Sequence, residues 1–226
     1  MTRMKLTQPV EDYLKSIYEL GGDVERVSTN QLADCLEITP ASVTGMLKKL
    51  AENEPALVDY QKHHGVVLTE AGKNAALEMV RHHRLLEMFL HQVLGFDWDE
   101  VHEEADRLEH VISEAFEERI ARVMGEPQLD PHGDPIPTRD FRIPTTTGQP
   151  LVNLRPRQAG VVQRVEDESP ELLRYLSEIG LVPQSRLKVL AYSPLDENIS
   201  LQVEGQPESV VLGPGITREI YVKVDS

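Results

Sequence analysis

Four side chains suited to hard divalent cations fall within one short stretch: His102, Asp106, Glu109 and His110, at relative positions 0, 4, 7 and 8. A helical repeat of about 3.6 residues would put all four on one face. His83 and Glu87 repeat the one-turn spacing upstream, and Asp12 could approach from the first helix. Facing helices can build such a set into a bundle interior. Carboxylate oxygens and imidazole nitrogens suit Mn(II) or Fe(II), while Zn(II) and Cu(II) bind many such sites more tightly and stay open. A solvated acidic face with ordinary surface histidines would explain any single pair. Recurrence of one-turn spacing on two helices favours a metal centre. A carboxylate-bridged di-metal oxidase would need paired Glu-x-x-His motifs, and the sequence has none. No catalytic residue is assigned, and the expectation is not an enzyme.

The elements that must position these residues follow from periodicity. Val10, Leu14, Ile17, Tyr18 and Leu20 predict a first helix from Leu6 to Leu20, stopped by Gly21 and Gly22. Ser28 or Thr29 caps a short helix through Leu36, and Glu37-Ile38-Thr39 connects it to a helix opened by Pro40. Val43, Leu47 and Leu50 give that helix its buried stripe. Its other face carries small polar and basic groups suited to a DNA groove. Two extended runs, Leu57 to Gln61 and Val66 to Thr69, flank Lys62-His63-His64-Gly65 and predict a wing-like hairpin. The sum is a winged helix-turn-helix whose second helix reads the major groove. Thr39, Ser42 and Thr44 are the candidates for base contacts, and Lys48, Lys49 and Lys62 for phosphates.

Beyond the wing, a helix starting at Thr69 is predicted to run toward Leu94 on Leu77, Val80, Leu85, Phe89 and Val93, with further helices over Trp98 to Ile112 and Ser113 to Met124. Antiparallel helices of this kind commonly give a dimer surface. Prolines 127, 131, 135, 137, 144 and 150 mark a linker expected to hold no regular element. Short strands over residues 160–165, 186–191, 199–203, 209–212 and 219–224, with one helix opened by Ser169-Pro170, predict a small β-barrel of SH3 type.

Composition sets the outer bounds. The net charge of −15 over 226 residues opposes DNA binding at first sight, because Lys and Arg supply most non-specific affinity. Many of the acids cluster between Glu78 and Glu118, where bound cations would offset them. No apolar run long enough for a membrane span or a secretory signal is present, so a cytoplasmic protein is expected. The single cysteine, Cys35, is expected to be a small buried core residue.

Several segments resemble the diphtheria toxin repressor family of metal-dependent transcription regulators, including its manganese transport regulators. They are Val-Glu-Asp-Tyr-Leu-Lys-Ser-Ile-Tyr-Glu-Leu from Val10, Ile-Thr-Pro-Ala-Ser-Val-Thr-Gly-Met from Ile38, His-His-Arg-Leu-Leu-Glu from His82, and Val-His-Glu-Glu-Ala-Asp-Arg-Leu-Glu-His from Val101. The resemblance implies a primary metal site of Asp12, Asp106, Glu109 and His110, and an ancillary site of His83, Glu87 and His102. Glu166 looks like the family position that reaches the ancillary metal, supplemented by Glu168 or Ser169. Iron-responsive members carry Met and Cys where this chain has Asp12 and Asp106, which implies the manganese-responsive type. Shorter manganese regulators carry a Glu one turn after Asp12, where this chain has Lys15.

The resulting expectation is an α+β chain. It has a winged helix-turn-helix DNA-binding domain over residues 1–73, a helical metal-binding and dimerisation domain over 74–126, a proline-rich linker over 127–150 and an SH3-like domain over 151–226. It would act as a homodimeric repressor of metal-uptake genes on a palindromic double-stranded operator, switched by Mn(II) or Fe(II). A winged-helix regulator sensing a small organic ligand is the alternative, along with the di-metal oxidase weighed above.

Overall fold

The computed structural model describes residues 6–166 and 169–225, so Glu168 lies outside the described residues. The chain divides into two compact units. One comprises the described residues up to His82 with Glu109–Ile112 and Pro137–Arg142; the other comprises His83–Leu108, Ser113–Ile136 and the described residues from Ile143 on.

The first unit is a winged helix-turn-helix. Helices α1 (Gln8–Glu19), α2 (Thr29–Cys35) and α3 (Pro40–Glu52) precede the hairpin of β1 (Val58–Gln61) and β2 (Gly65–Leu68). Ser28, rather than Thr29, caps α2: its hydroxyl accepts from the Gln31 backbone amide, and the Gln31 side-chain oxygen accepts from the Ser28 backbone amide. Such a cap is worth about 1 kcal/mol. Leu14, Ile17, Leu32, Val43, Leu47, Leu50, Leu57 and Val66 form the core beneath the three helices and the wing. Gly65 makes the wing possible, since its φ is +92° and a Cβ there would sit 2.3 Å from the Val27 carbonyl oxygen. Cys35 corrects expectation: it is exposed, because it closes a seven-residue helix whose buried positions are Leu32 and Ala33.

Helix α4 (Glu70–Phe89) starts in the first unit and continues into the second, where a single π-helical segment, Leu90–Leu94, extends it to Gly95. The predicted helix toward Leu94 therefore loses its α-helical register in the last turn. Val93, expected on the apolar stripe, is 45 % exposed. Helix α5 (Val101–Leu108) is shorter than the Trp98 to Ile112 helix expected, and α6 (Glu114–Val123) is capped by Ser113. Strands β3 (Gln149–Pro150), β4 (Ala159–Val165), β5 (Arg186–Tyr192), β6 (Ile199–Val203), β7 (Val210–Leu212) and β8 (Ile220–Val224) form an antiparallel SH3-like sheet, with α7 (Pro170–Glu178) and α8 (Pro214–Thr217). Strands pair in the order β3-β8-β4-β5-β6-β7. Alternation puts Ile199, Leu201 and Val203 into its core with Val162, Leu187, Val189 and Val222. Trp98 joins the same core.

The proline-rich stretch is less bare than expected. Leu129 and Pro135 form a bridge, and Asp130, His132 and Ile136 are buried. The Asp130 carboxylate accepts from the amides of His132 and Asp134, both at 2.9 Å. Gly133, with φ +92°, lies so close to strand β4 that a Cβ would meet the Gln163 oxygen at 2.0 Å. The Val165 amide donates to the His132 carbonyl at 2.9 Å, which fixes the histidine beneath the strand.

Candidate metal centres and DNA-reading face

The sequence places four ligands on one helical face, but the structure distributes them differently. Helix α5 ends at Leu108, so Glu109 and His110 sit in the turn that follows, while His102 and Asp106 stay one helical turn apart within α5. Two clusters result, one in each unit.

In the first unit Asp12, Glu109 and His110 form a group able to hold a metal ion. His110 Nε2 lies 2.9 Å from Asp12 Oδ1 and 3.5 Å from Glu109 Oε1. Its other nitrogen, Nδ1, lies 2.9 Å from Glu11 Oε2. A proton on Nδ1 donated to Glu11 leaves the Nε2 lone pair facing two carboxylate oxygens. That arrangement is repulsive unless a proton or a cation lies between them, and it matches the carboxylate–histidine–metal triad of many metal sites. The donor set thus fits a hard divalent ion. Burial pushes the Asp12 carboxyl above its ordinary range, helped by Glu109 and Glu11 and opposed by His110 and Lys15. Lys15 bonds Glu109 Oε2 at 2.9 Å.

In the second unit His83 Nε2, His102 Nδ1 and Glu87 Oε1 form a triangle with sides of 3.0, 3.1 and 3.3 Å. Ligands held about 2.0–2.2 Å from one ion sit at comparable mutual distances. Asp106 approaches the opposite nitrogens of the same two rings, at 3.2 Å from His83 Nδ1 and 3.5 Å from His102 Nε2. This differs from the primary grouping that the resemblance implied for Asp106. The one-turn spacing on α5 keeps Asp106 beside His102, while the end of α5 at Leu108 carries Glu109 and His110 away from that face. Burial alone would raise the Glu87 carboxyl, but His83, His102 and His132 together hold it well below the ordinary range.

Sequence reasoning missed His132 and Asp130. His132 Nε2 lies 4.0 Å from Glu87 Oε1, and its ring stacks on Trp98 at 5.5 Å. Arg84 reaches Asp130 at 3.5 Å and donates to the Pro135 carbonyl at 2.7 Å. Burial, with Glu87 and Asp134 nearby, pushes the Asp130 carboxyl well above its ordinary range. A histidine bracketed by Asp130 and Gly133 inside a proline-rich stretch was the available signal. Glu166 is exposed; its carboxylate accepts from Tyr221 Oη at 2.8 Å and pairs with Arg164 at 3.4 Å. Ser169 stands at the start of α7, also exposed.

On the DNA-reading face Thr39 caps α3, accepting from the Ser42 amide at 3.2 Å. Thr39 and Ser42 are exposed, whereas half-buried Thr44 spends its hydroxyl on the Pro40 carbonyl at 2.9 Å. Lys48 and Lys49 are exposed on the same helix, and Lys62, His63 and His64 are exposed at the wing tip.

Family models match along the chain in the order of these elements. Residues 5–66 match the iron dependent repressor N-terminal DNA binding domain, and residues 69–138 the iron dependent repressor metal binding and dimerisation domain. Residues 149–224 match the FeoA domain. The iron-dependent repressor IdeR of Mycobacterium tuberculosis (strain CDC 1551 / Oshkosh) is 31 % identical over 197 residues, covering 82 % of this chain and 85 % of the relative. The chain belongs to the iron-dependent repressor family. Among solved family structures, a manganese-dependent transcriptional repressor in complex with manganese is 41 % identical, with a TM-score of 0.84 over 94 % of this chain and 98 % of that one. ScaR with bound Zn2+ is 33 % identical, with a TM-score of 0.77 over 95 % of this chain and 98 % of that one. Membership of this family makes the chain a metal-dependent DNA-binding transcription regulator, with Mn and Fe both compatible.

Proposed function

We propose that this protein is a homodimeric repressor of metal-uptake genes, switched by Mn(II) in preference to Fe(II), acting on a palindromic operator in the cytoplasm. The observation that carries the switch is the convergence of Asp12, from α1 of the winged domain, on His110 Nε2 beside Glu109. An ion held there would tie α1 to the turn after α5, within the unit that carries the helix-turn-helix. Asp12, Glu109 and His110 would hold one metal; His83, Glu87 and His102 would hold another, with Asp106 behind both rings and Glu166 as a further ligand. The absence of a thiolate or thioether from either set supports the manganese reading.

A dimer has an apolar surface available to it in the second unit: Val93, Leu94, Phe116 and Val123 are 45, 56, 42 and 70 % exposed. Phe116 meets Phe89 edge-on at 6.3 Å, which joins the end of α4 to α6 in one patch. Two copies of the winged domain would then present Thr39, Ser42 and Thr44 to successive half-sites, with Lys48, Lys49 and Lys62 on phosphates.

The test is DNA affinity, measured with a labelled duplex selected from a random pool by the Mn(II)-loaded protein. Mn(II) should raise affinity, and Asp12→Ala should abolish the rise. Equal affinity with Mn(II) and with chelator would overturn the proposal. On that duplex and on duplexes with substituted base pairs, Lys62→Ala should weaken binding uniformly across sequences, and Thr44→Ala in a sequence-dependent way.

A further inference from the structure

Lys15 is an unusual lysine: 11 % of its side chain is exposed, and its partner Glu109 is 2 % exposed. An ammonium and a carboxylate withdrawn from water this far are costly unless each compensates the other. Lys15 follows Glu11 by four residues and Asp12 by three on α1, so it shares a helix with half of the cluster. The pair joins residues 94 positions apart. The two oxygens of Glu109 are divided: Oε2 takes the ammonium at 2.9 Å, while Oε1 lies 3.5 Å from His110 Nε2.

We propose that Lys15 is a tethered cation that competes with the metal ion for Glu109 and thereby sets the metal concentration at which the Asp12 cluster fills. This rests on the metal-switch reading above. Glu11, Asp12 and Glu109 bring three negative charges to the cluster, and Lys15 returns one positive charge. A divalent ion held by Asp12, His110 and Glu109 would share Glu109 with that ammonium, and partial burial would strengthen the repulsion between the two cations. Two resolutions exist. The ammonium withdraws along its flexible four-carbon stem and frees Oε2, or it stays and the ion receives only Oε1. Either way the ion is bound more weakly than the same ligands would bind it without the lysine. In exchange, the ammonium offsets part of the mutual repulsion among the carboxylates before any ion arrives.

The experiment is equilibrium Mn(II) binding to the full chain, read as the class of sites that Asp12→Ala removes. Lys15→Met keeps the stem and deletes the charge, and should tighten that class by roughly tenfold or more. Lys15→Arg keeps a cation and should stay within about threefold of the parent. Melting of each metal-free variant verifies the fold, and Lys15→Gln replaces the Met variant if that chain does not fold. Unchanged or weaker binding in the charge-deleted variant overturns the competition. Absence of any Asp12-dependent class in the parent would instead overturn the metal reading on which it rests.

Discussion

The Asp12 and His83 clusters draw on the same donor types in opposite proportions. Around His110 stand three carboxylates and one ammonium, with a single imidazole at the centre. Around Glu87 stand the imidazoles of His83, His102 and His132, with Asp106 behind two of the rings. The carboxyls respond accordingly: burial and like charges raise Asp12, whereas three imidazoles lower Glu87 despite deeper burial. The oxygen-rich cluster suits a hard cation whose charge it lacks. The nitrogen-rich cluster discriminates less, since imidazole serves Zn, Fe and other borderline ions as well.

The most damaging way to break this contrast is at Glu87. Glu87→Gln removes the buried carboxylate that all three imidazoles approach and should cost about 3–5 kcal/mol of metal-free stability, seen in chemical unfolding. Asp12→Asn should act in the opposite direction and far more weakly, by a few tenths of a kcal/mol, because that side chain is 38 % exposed and screened. Parental or raised stability in the Glu87 variant would remove the charge difference between the clusters.

Next in size, Glu11→Ala removes the acceptor that orients His110 and should weaken Mn(II) at the Asp12 cluster by about 10–100-fold. Binding at the His83 cluster should be untouched. Trp98 offers a separate readout, since it is the chain's one tryptophan and stacks on His132 beside Glu87. Mn(II) should quench its emission in the parent and in Asp12→Ala, but not in His102→Ala. Quenching that follows Asp12 instead would reverse the assignment.

The pH dependence separates the two carboxyls most finely. Glu87 has a folded value below its ordinary 4.5, so its contribution to stability is fully present above 4.5 and is lost as pH falls through the lower folded value. The stability gap between the parent and Glu87→Gln should therefore shrink as pH falls below 4.5. Asp12 has a folded value above its ordinary 3.8, so its ionised form costs stability, and the cost disappears as pH falls through the raised value toward 3.8. Its small gap to Asp12→Asn should close at the higher pH of the two. Unfolding curves across this range would show the order.

What the sequence made legible was local. Apolar periodicity, the Ser28 cap and the glycine after the wing tip describe the winged domain because each acts within a few residues. The ligand residues were legible as types at one-turn spacing. Their grouping was not, because α5 ends at Leu108 with no glycine or proline to mark it, and Glu109 and His110 consequently leave the helical face that His102 and Asp106 share. Lys15 with Glu109, and His132 with Glu87, join residues far apart in the chain, and no periodicity reports such pairs. Proline content was read as excluding any regular element, which strand β3 at Gln149–Pro150 corrects, and it says nothing of burial, so Asp130 and His132 were passed over as linker.

The most direct measurement is DNA affinity as a function of free Mn(II), for the parent and for Asp12→Ala, on a duplex selected by the Mn(II)-loaded protein. A metal-switched regulator that closes on Asp12 gives an affinity rising at least tenfold with Mn(II) in the parent, and flat in the variant. Superimposable curves for the two proteins would contradict it.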